Sequence, residues 1–391
     1  MRKLLPILAA VAIAAAGCAS SDYAKRPQLT GDPIIDGKNS IQFGPKKDRV
    51  LWEYRVALAA MRRGDYVEAK QQLDSAIARI GGIYTSDSDA KKARGFFHKE
   101  AKKLFIGEPY ERVMAYFYRG ILYWMDGEPD NARACFRSAQ FQDADAEKHE
   151  YAADYVLLDY LDGFATTKLN GDGKDEFDRA VKNTRGTSAP PAYNKNANVL
   201  LFIEFGRGPK KFAAGAHAEQ LRFSEDVSVA RSVNLRVDTQ QYSLLPYDDL
   251  QWQATTRGGR EMDHILKNKA VFKDVTKGVA IAGGVTSFML TDPNQIARRG
   301  YPSEAALIAG GVAAVAGILT VTTKTEADIR AWDNLPRYLT FAPLQLPPGE
   351  HSVGIDFRDA NGRIVSTKTV KINVPVNSTK DTVFFVSEHN S

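Results

Sequence analysis

The sequence predicts an α+β protein in which helical repeats precede a β-rich unit. Three observations carry the prediction. From Val50 onward apolar residues recur at helical spacing, and the series Gly64, Ala69, Leu73, Ala76 returns as Gly127, Ala132, Phe136, Ala139. Thr187-Ser188-Ala189-Pro190-Pro191 then closes the helical pattern, and the segments 198–205, 229–237 and 351–358 follow with strand character. With 391 residues, 44% hydrophobic and 25% charged, the chain has the composition of a folded protein with room for two or three cores.

Residues 1–17 read as a lipoprotein signal peptide. Arg2 and Lys3 form a basic start, Leu4 to Ala16 an apolar stretch too short to span a bilayer, and Gly17 leads directly into Cys18. Cleavage between Gly17 and Cys18 frees the cysteine for acylation. A thioether-linked diacylglycerol plus an N-acyl chain on Cys18, at about 0.8 kcal/mol per buried methylene, holds a protein on a membrane. No other cofactor is expected. Ala19 follows where inner-membrane lipoproteins commonly carry Asp, so resemblance to sorted lipoproteins implies the periplasmic side of an outer membrane. Cys135 is the second of two cysteines; with Cys18 lipidated it has no intrachain partner, and on a helix it reads as a small buried hydrophobe. Residues 18–49, interrupted by Pro27, Pro33 and Pro45, read as a lipidated cysteine and flexible tether. The formal charge of +5 includes Arg2 and Lys3, and the remainder is too dispersed for a nucleic-acid partner.

Residues 50–190 form the expected helical domain. The spacing resembles the tetratricopeptide repeat family, which also places an aromatic, a glycine and an aromatic where Tyr116, Gly120 and Tyr123 stand. Small residues suit points where antiparallel helices approach, and the large ones fill the space beside them. The first unit has Ala57 in place of the first-helix glycine, and a third, weaker unit runs through Leu157, Leu161, Phe164, Gly173, Phe177 and Ala180. Residues 80–108 read as an insertion with a helix of its own. Alignment with the family directs Leu51, Tyr54, Leu58 and Met61, then Met114, Phe117, Ile121, Trp124 and Met125, toward a concave groove. A groove so apolar requires an occupant, either an envelope protein or peptide or the chain's own later segments.

Residues 191–391 form the expected β-rich domain. Gly206-Arg207-Gly208-Pro209-Lys210-Lys211 lacks the Gly-Lys-Ser/Thr step of a phosphate loop and reads as a basic turn. Two Ala/Gly-rich segments, 278–290 and 305–321, predict a helical hairpin insertion that either enters a membrane or packs inside a soluble domain. Strands are expected over 337–343, 351–358, 364–374 and 383–386, with a hairpin turn at Asn361-Gly362, and together they read as β-sandwich-like.

Glu108-Pro109-Tyr110-Glu111-Arg112-Val113-Met114, Gly206 with Pro209 and Lys210, and Ala327-Asp328 with Arg330, Trp332, Leu335 and Pro336 carry a wider resemblance. On these residues most of 50–385 resembles an uncharacterised family of Gram-negative tetratricopeptide-type outer-membrane lipoproteins. The resemblance implies an envelope-assembly accessory with no established activity. Asp328, Arg330 and Trp332 read either as a partner motif or as a structural ion pair beside a buried Trp.

Catalytic patterns are scarce. The six histidines share no ligand spacing, Asn170-Gly171-Asp172-Gly173 lacks the ligand ladder of a calcium loop, and no Gly-x-Ser-x-Gly elbow occurs. The expected function is therefore a non-catalytic, lipid-anchored periplasmic scaffold that recruits envelope proteins or peptides through its helical repeats. Two alternatives are a component of an export or surface-structure apparatus with a membrane-entering hairpin, and a regulator of peptidoglycan synthesis. The oligomeric state is not legible.

Overall fold

The computed structural model describes residues 27–85, 104–144, 152–184, 190–191, 194–215, 218, 220–255 and 327–390. The signal peptide, Cys18 and the Ala/Gly-rich segments 278–290 and 305–321 lie outside the described residues. No described helix is long and apolar enough to cross a membrane.

The described chain is mixed helix and sheet, with eight α-helices and three small sheets. The helices are α1 (Pro33–Phe43), α2 (Arg49–Arg63), α3 (Tyr66–Thr85), α4 (Pro109–Met125), α5 (Pro129–Asp143), α6 (Val156–Lys168) and α7 (Lys174–Lys182), with the short α8 (Leu250–Thr255) among the strands. Each of α1 to α6 packs on the next in sequence. Caps written in the sequence set their ends. Gly64 adopts φ 77° after α2, so its N–H reaches Met61 O while Asp65 N–H reaches Ala60 O. Gly127, at φ 81°, turns the chain out of α4, and Pro129 opens α5. The small residues lie where helices meet: a Cβ on Gly120 would lie 2.6 Å from Phe136, and Ala69, Ala76, Ala132 and Ala139 are fully buried.

The tether expected over 18–49 is corrected from residue 33. Asp32 accepts from Ile34 N–H at 2.8 Å and Ile35 N–H at 3.2 Å, and Pro33 stands in the first turn of α1. A proline there favours a helix instead of breaking one, because its missing N–H is among those a helix start leaves unpaired. Gly37 lets α1 approach α2 so closely that an added Cβ would meet Val56 at 2.3 Å.

Strands β1 (Val199–Phe205), β6 (Asp248–Asp249), β7 (Tyr338–Leu344) and β10 (Thr382–Ser387) form one sheet in the order β10-β1-β7-β6. β1 runs parallel to β10 and antiparallel to β7. A second sheet, in the order β5-β4-β8-β9, is antiparallel throughout and contains β4 (Ser232–Val237), β5 (Gln240–Leu244), β8 (Gly349–Arg358) and β9 (Ile364–Val374). β2 (Lys210–Ala214) pairs with β3 (Gln220–Ser224) as a separate ribbon.

β1 is buried on both faces, which is why it reads as a continuous apolar run. Because strand side chains alternate, Val199, Leu201, Ile203 and Phe205 join a core with the second sheet, while Leu200 and Phe202 join the helical core. The first sheet is thus a shared middle layer. The expected boundary at 190/191 marks a change of secondary structure, but the helices and the first sheet share one continuous core.

Candidate functional site

The groove expected on the first helix of each repeat unit is filled by the protein itself. Leu51, Tyr54, Leu58, Met61, Met114, Phe117, Ile121 and Trp124 are buried, and the half-buried Met125 packs against the same core. Their role as an open partner-binding groove is thereby corrected. Phe202 of β1 meets Phe117 at a centroid distance of 6.3 Å and Trp124 at 6.4 Å, and Phe385 of β10 meets Tyr118 at 5.9 Å. The Trp124 indole N–H donates to Asp381 at 3.0 Å. The apolar inner face of β1 and the apolar groove each need cover, and each supplies it to the other.

One polar cluster lies where the helices meet the later chain, and it joins three separated runs of sequence around Glu111, Lys211 and Arg330. Glu111, in the first turn of α4, is fully buried and has both oxygens engaged. Its Oε2 accepts from Glu108 N–H and from Lys211 Nζ, each at 2.6 Å, and its Oε1 accepts from Trp332 N–H at 2.7 Å. Lys211 Nζ also donates to Arg330 O at 2.9 Å. Arg330 in turn pairs with Asp328 at 2.5 Å and Asp48 at 2.6 Å. The Trp332 ring stacks on Tyr54, with centroids 4.3 Å apart and planes inclined at 13°. Asp328, Arg330 and Trp332 therefore form the structural ion pair and buried Trp, clamping the segment before β7 onto α2 and α4.

Burial pushes the Glu111 carboxyl up and the Lys211 ammonium down, and each charge opposes the shift of the other. Such a pair is stable only with its hydrogen bonds complete, and here two backbone N–H groups and one carbonyl complete them. Of the two lysines that end the glycine-rich turn, Lys210 extends to solvent and Lys211 is the buried partner. Strand alternation in β2 is the signal that separates the two. The amides of the turn are spent inside the chain: Gly206 N–H on Glu388, Arg207 N–H on Ser228 and Gly208 N–H on Leu335 O. That agrees with a turn and leaves no cradle for phosphate.

Two further buried carboxylates lock the layers. Glu204, on the helical side of β1, accepts from Arg62 at 2.8 Å and from the Tyr118 hydroxyl at 2.5 Å. Burial and the Glu204 charge hold that phenol well above its ordinary value. Asp248 caps α6 from a distance, accepting from Val156 N–H and Leu157 N–H at 2.9 Å each. Burial raises its carboxyl to about 7 against the pull of those two amides, with Asp154 and Asp143 adding to the rise. Tyr155 occupies the N-cap of α6 and offers no capping side chain, and that deficiency is the trace the sequence carries of a remote cap.

Burial raises the Cys135 thiol to about 11, which keeps it protonated. Among the described residues no group of three or more His, Cys, Asp or Glu is placed to hold a metal ion. No family model, curated protein or solved structure matches the chain.

Proposed function

We propose that this chain is a non-catalytic, lipid-anchored periplasmic scaffold for envelope assembly. On this reading α2 to α7 are tetratricopeptide-like units, the two four-stranded sheets form a β-sandwich-like unit, and Cys18 carries the lipid. The observation that supports it is the filled groove: among the described residues helices and first sheet share one core, which leaves the outer surfaces for partners. One outer surface suits protein contact. β9 is 11 residues long and lies at the edge of its sheet, where a partner strand adds by backbone hydrogen bonding.

A photo-crosslinking residue at Thr369 of β9, compared in intact cells with one at Phe117 in the filled groove, tests the reading. Scaffolding through the outer surface yields a discrete envelope-protein adduct from position 369 and none from 117. An adduct from 117 alone would return recognition to the groove. Cys18→Ser is expected to move the protein from the membrane fraction to the soluble periplasmic fraction, and retention in the membrane sinks the lipid anchor.

A further inference from the structure

His351 stands near the start of β8, in register with Val353, Ile355 and Phe357, which enter the core between the two four-stranded sheets. Its side chain is 8% exposed, and both ring nitrogens meet an acceptor. Nδ1 lies 3.0 Å from a carboxylate oxygen of Asp238, in the turn from β4 to β5. Nε2 lies 2.8 Å from Pro347 O, in the turn that carries the chain from β7 of the first sheet to β8 of the second. A carboxylate and a carbonyl both accept, and a neutral imidazole has one N–H to donate. Two such contacts require the imidazolium.

Few charges act on the ring. β9 places Ile372 opposite His351, Glu350 alternates to the other face of β8, and β4 ends at Val237 before Asp238 turns the chain at φ 52°. Among the described residues Asp238 is the charged group that faces it, and the Pro347 carbonyl and that carboxylate raise the ring above the ordinary value of 6.5 against the effect of burial. The turn beyond Nε2 is fixed at one end and free at the other. Asn198 holds both backbone groups of Leu346, donating to its carbonyl at 2.8 Å and accepting from its N–H at 2.9 Å. Gly349 then enters β8 at φ 132°, with no described atom within 4 Å of an added Cβ. Pro347 and Pro348, between these two points, are exposed.

We propose that His351 is a proton-operated clasp between these two turns. Protonated, the ring holds both. On losing a proton it keeps Nδ1–H on the carboxylate, the stronger acceptor, so the Nε2 lone pair faces Pro347 O and residues 347–349 swing out into water. Because Asp238 is 56% exposed, its ion pair contributes little stability, and the response is carried by the turn. The clasp is complete below the ordinary histidine value of 6.5 and opens as pH rises through the higher folded value. It needs neither acylation of Cys18 nor a bound partner.

The test is a magnetic-resonance titration of the full chain carrying Cys18→Ser, with isotope-labelled histidine and proline, from about pH 5 to about pH 9. The His351 ring is expected to titrate with a midpoint above 6.5, with both nitrogens protonated below the midpoint and Nδ1 alone protonated above it. The Pro347 carbonyl carbon shifts with the same midpoint. Asp238→Asn lowers the midpoint of both signals, as loss of a facing carboxylate requires. In His351→Phe the carbonyl signal no longer depends on pH. Circular dichroism checks that the variants fold, and the parent with Asp238→Asn decides the matter if His351→Phe does not. A ring midpoint at or below 6.5, a neutral ring protonated at Nε2, a carbonyl signal that does not follow the ring, or an unchanged midpoint in Asp238→Asn would each overturn the clasp.

Discussion

Replacing Lys211 by Met removes one half of the most buried ion pair in the described structure and keeps most of the side-chain volume. The Glu111 oxygen then loses its 2.6 Å ammonium partner while Glu108 N–H and Trp332 N–H remain, and Arg330 O loses its 2.9 Å donor. Breaking a buried pair from one side costs about 3–5 kcal/mol, because the remaining charge has no water to turn to. The pH dependence follows from Glu111. Burial already raises its carboxyl above the ordinary value of 4.5, and the Lys211 charge is the largest opposing influence, so the variant raises it further. A carboxyl raised in the folded state contributes stability that is complete below its unfolded value and is lost as pH rises through its folded value. Lys211→Met is therefore most destabilising at pH 7 and recovers as pH falls toward 5. Urea unfolding followed by circular dichroism at both pH values measures this, with the slope checked for a change in unfolding mechanism. The double variant Glu111→Gln, Lys211→Met removes the stranded charge and is expected to regain about 1–3 kcal/mol with little pH dependence. A single-variant loss below about 1 kcal/mol at pH 7, or a double variant no more stable than the single, would refute the pair as the junction between helices and later chain.

Trp124→Ala is expected to cost about 3–5 kcal/mol, because it empties the contact with Phe202 and removes the indole donor to Asp381, which keeps Lys168; a variant that melts like the parent would show the groove to be open. Gly120→Leu places a side chain where Phe136 already stands at 2.6 Å and is expected to lower stability by about 1–3 kcal/mol or more, read as a shift in thermal midpoint. Gly81→Ala, with none of the described atoms within 4 Å of the new Cβ, is expected to raise stability by roughly 0.5–1 kcal/mol in the same assay. Asp248 has its carboxyl raised to about 7, so its contribution is complete below the ordinary value of 3.8 and falls as pH rises to about 7. Asp248→Asn is expected to flatten that part of the pH–stability profile, and an unchanged slope between pH 4 and 7 would exclude Asp248 as its source.

Much of the candidate site was present in the sequence as separate pieces. Glu111, Arg330 and Trp332 drew attention because they sit in unusual local runs, and they converge on one cluster. Their partners did not. Lys211 differs from Lys210 only in which face of β2 it occupies, and Asp48 lies in a segment that read as tether. Asp248 acts on a helix some ninety residues earlier, beyond the reach of any pattern that compares near neighbours. Pro33 misled for a related reason. Proline breaks a helix interior, but here it occupies the first turn of α1, and the close packing of α1 on α2 at Gly37 is not legible locally.

Local chemistry is legible along the chain, because helix caps, strand alternation and the Asn-Gly turn depend on residues a few positions apart. The α4 and α5 packing positions, the run of β1 and the bounds of β9 follow from such short-range rules. Which apolar surfaces cover one another is a different question. The groove residues and the inner face of β1 have the same chemistry whether they bind a partner or each other, since hydrophobic burial has no directional signature. Tertiary structure decided between the two by bringing β1, β7 and β10 over the helices, and with that choice the groove became core.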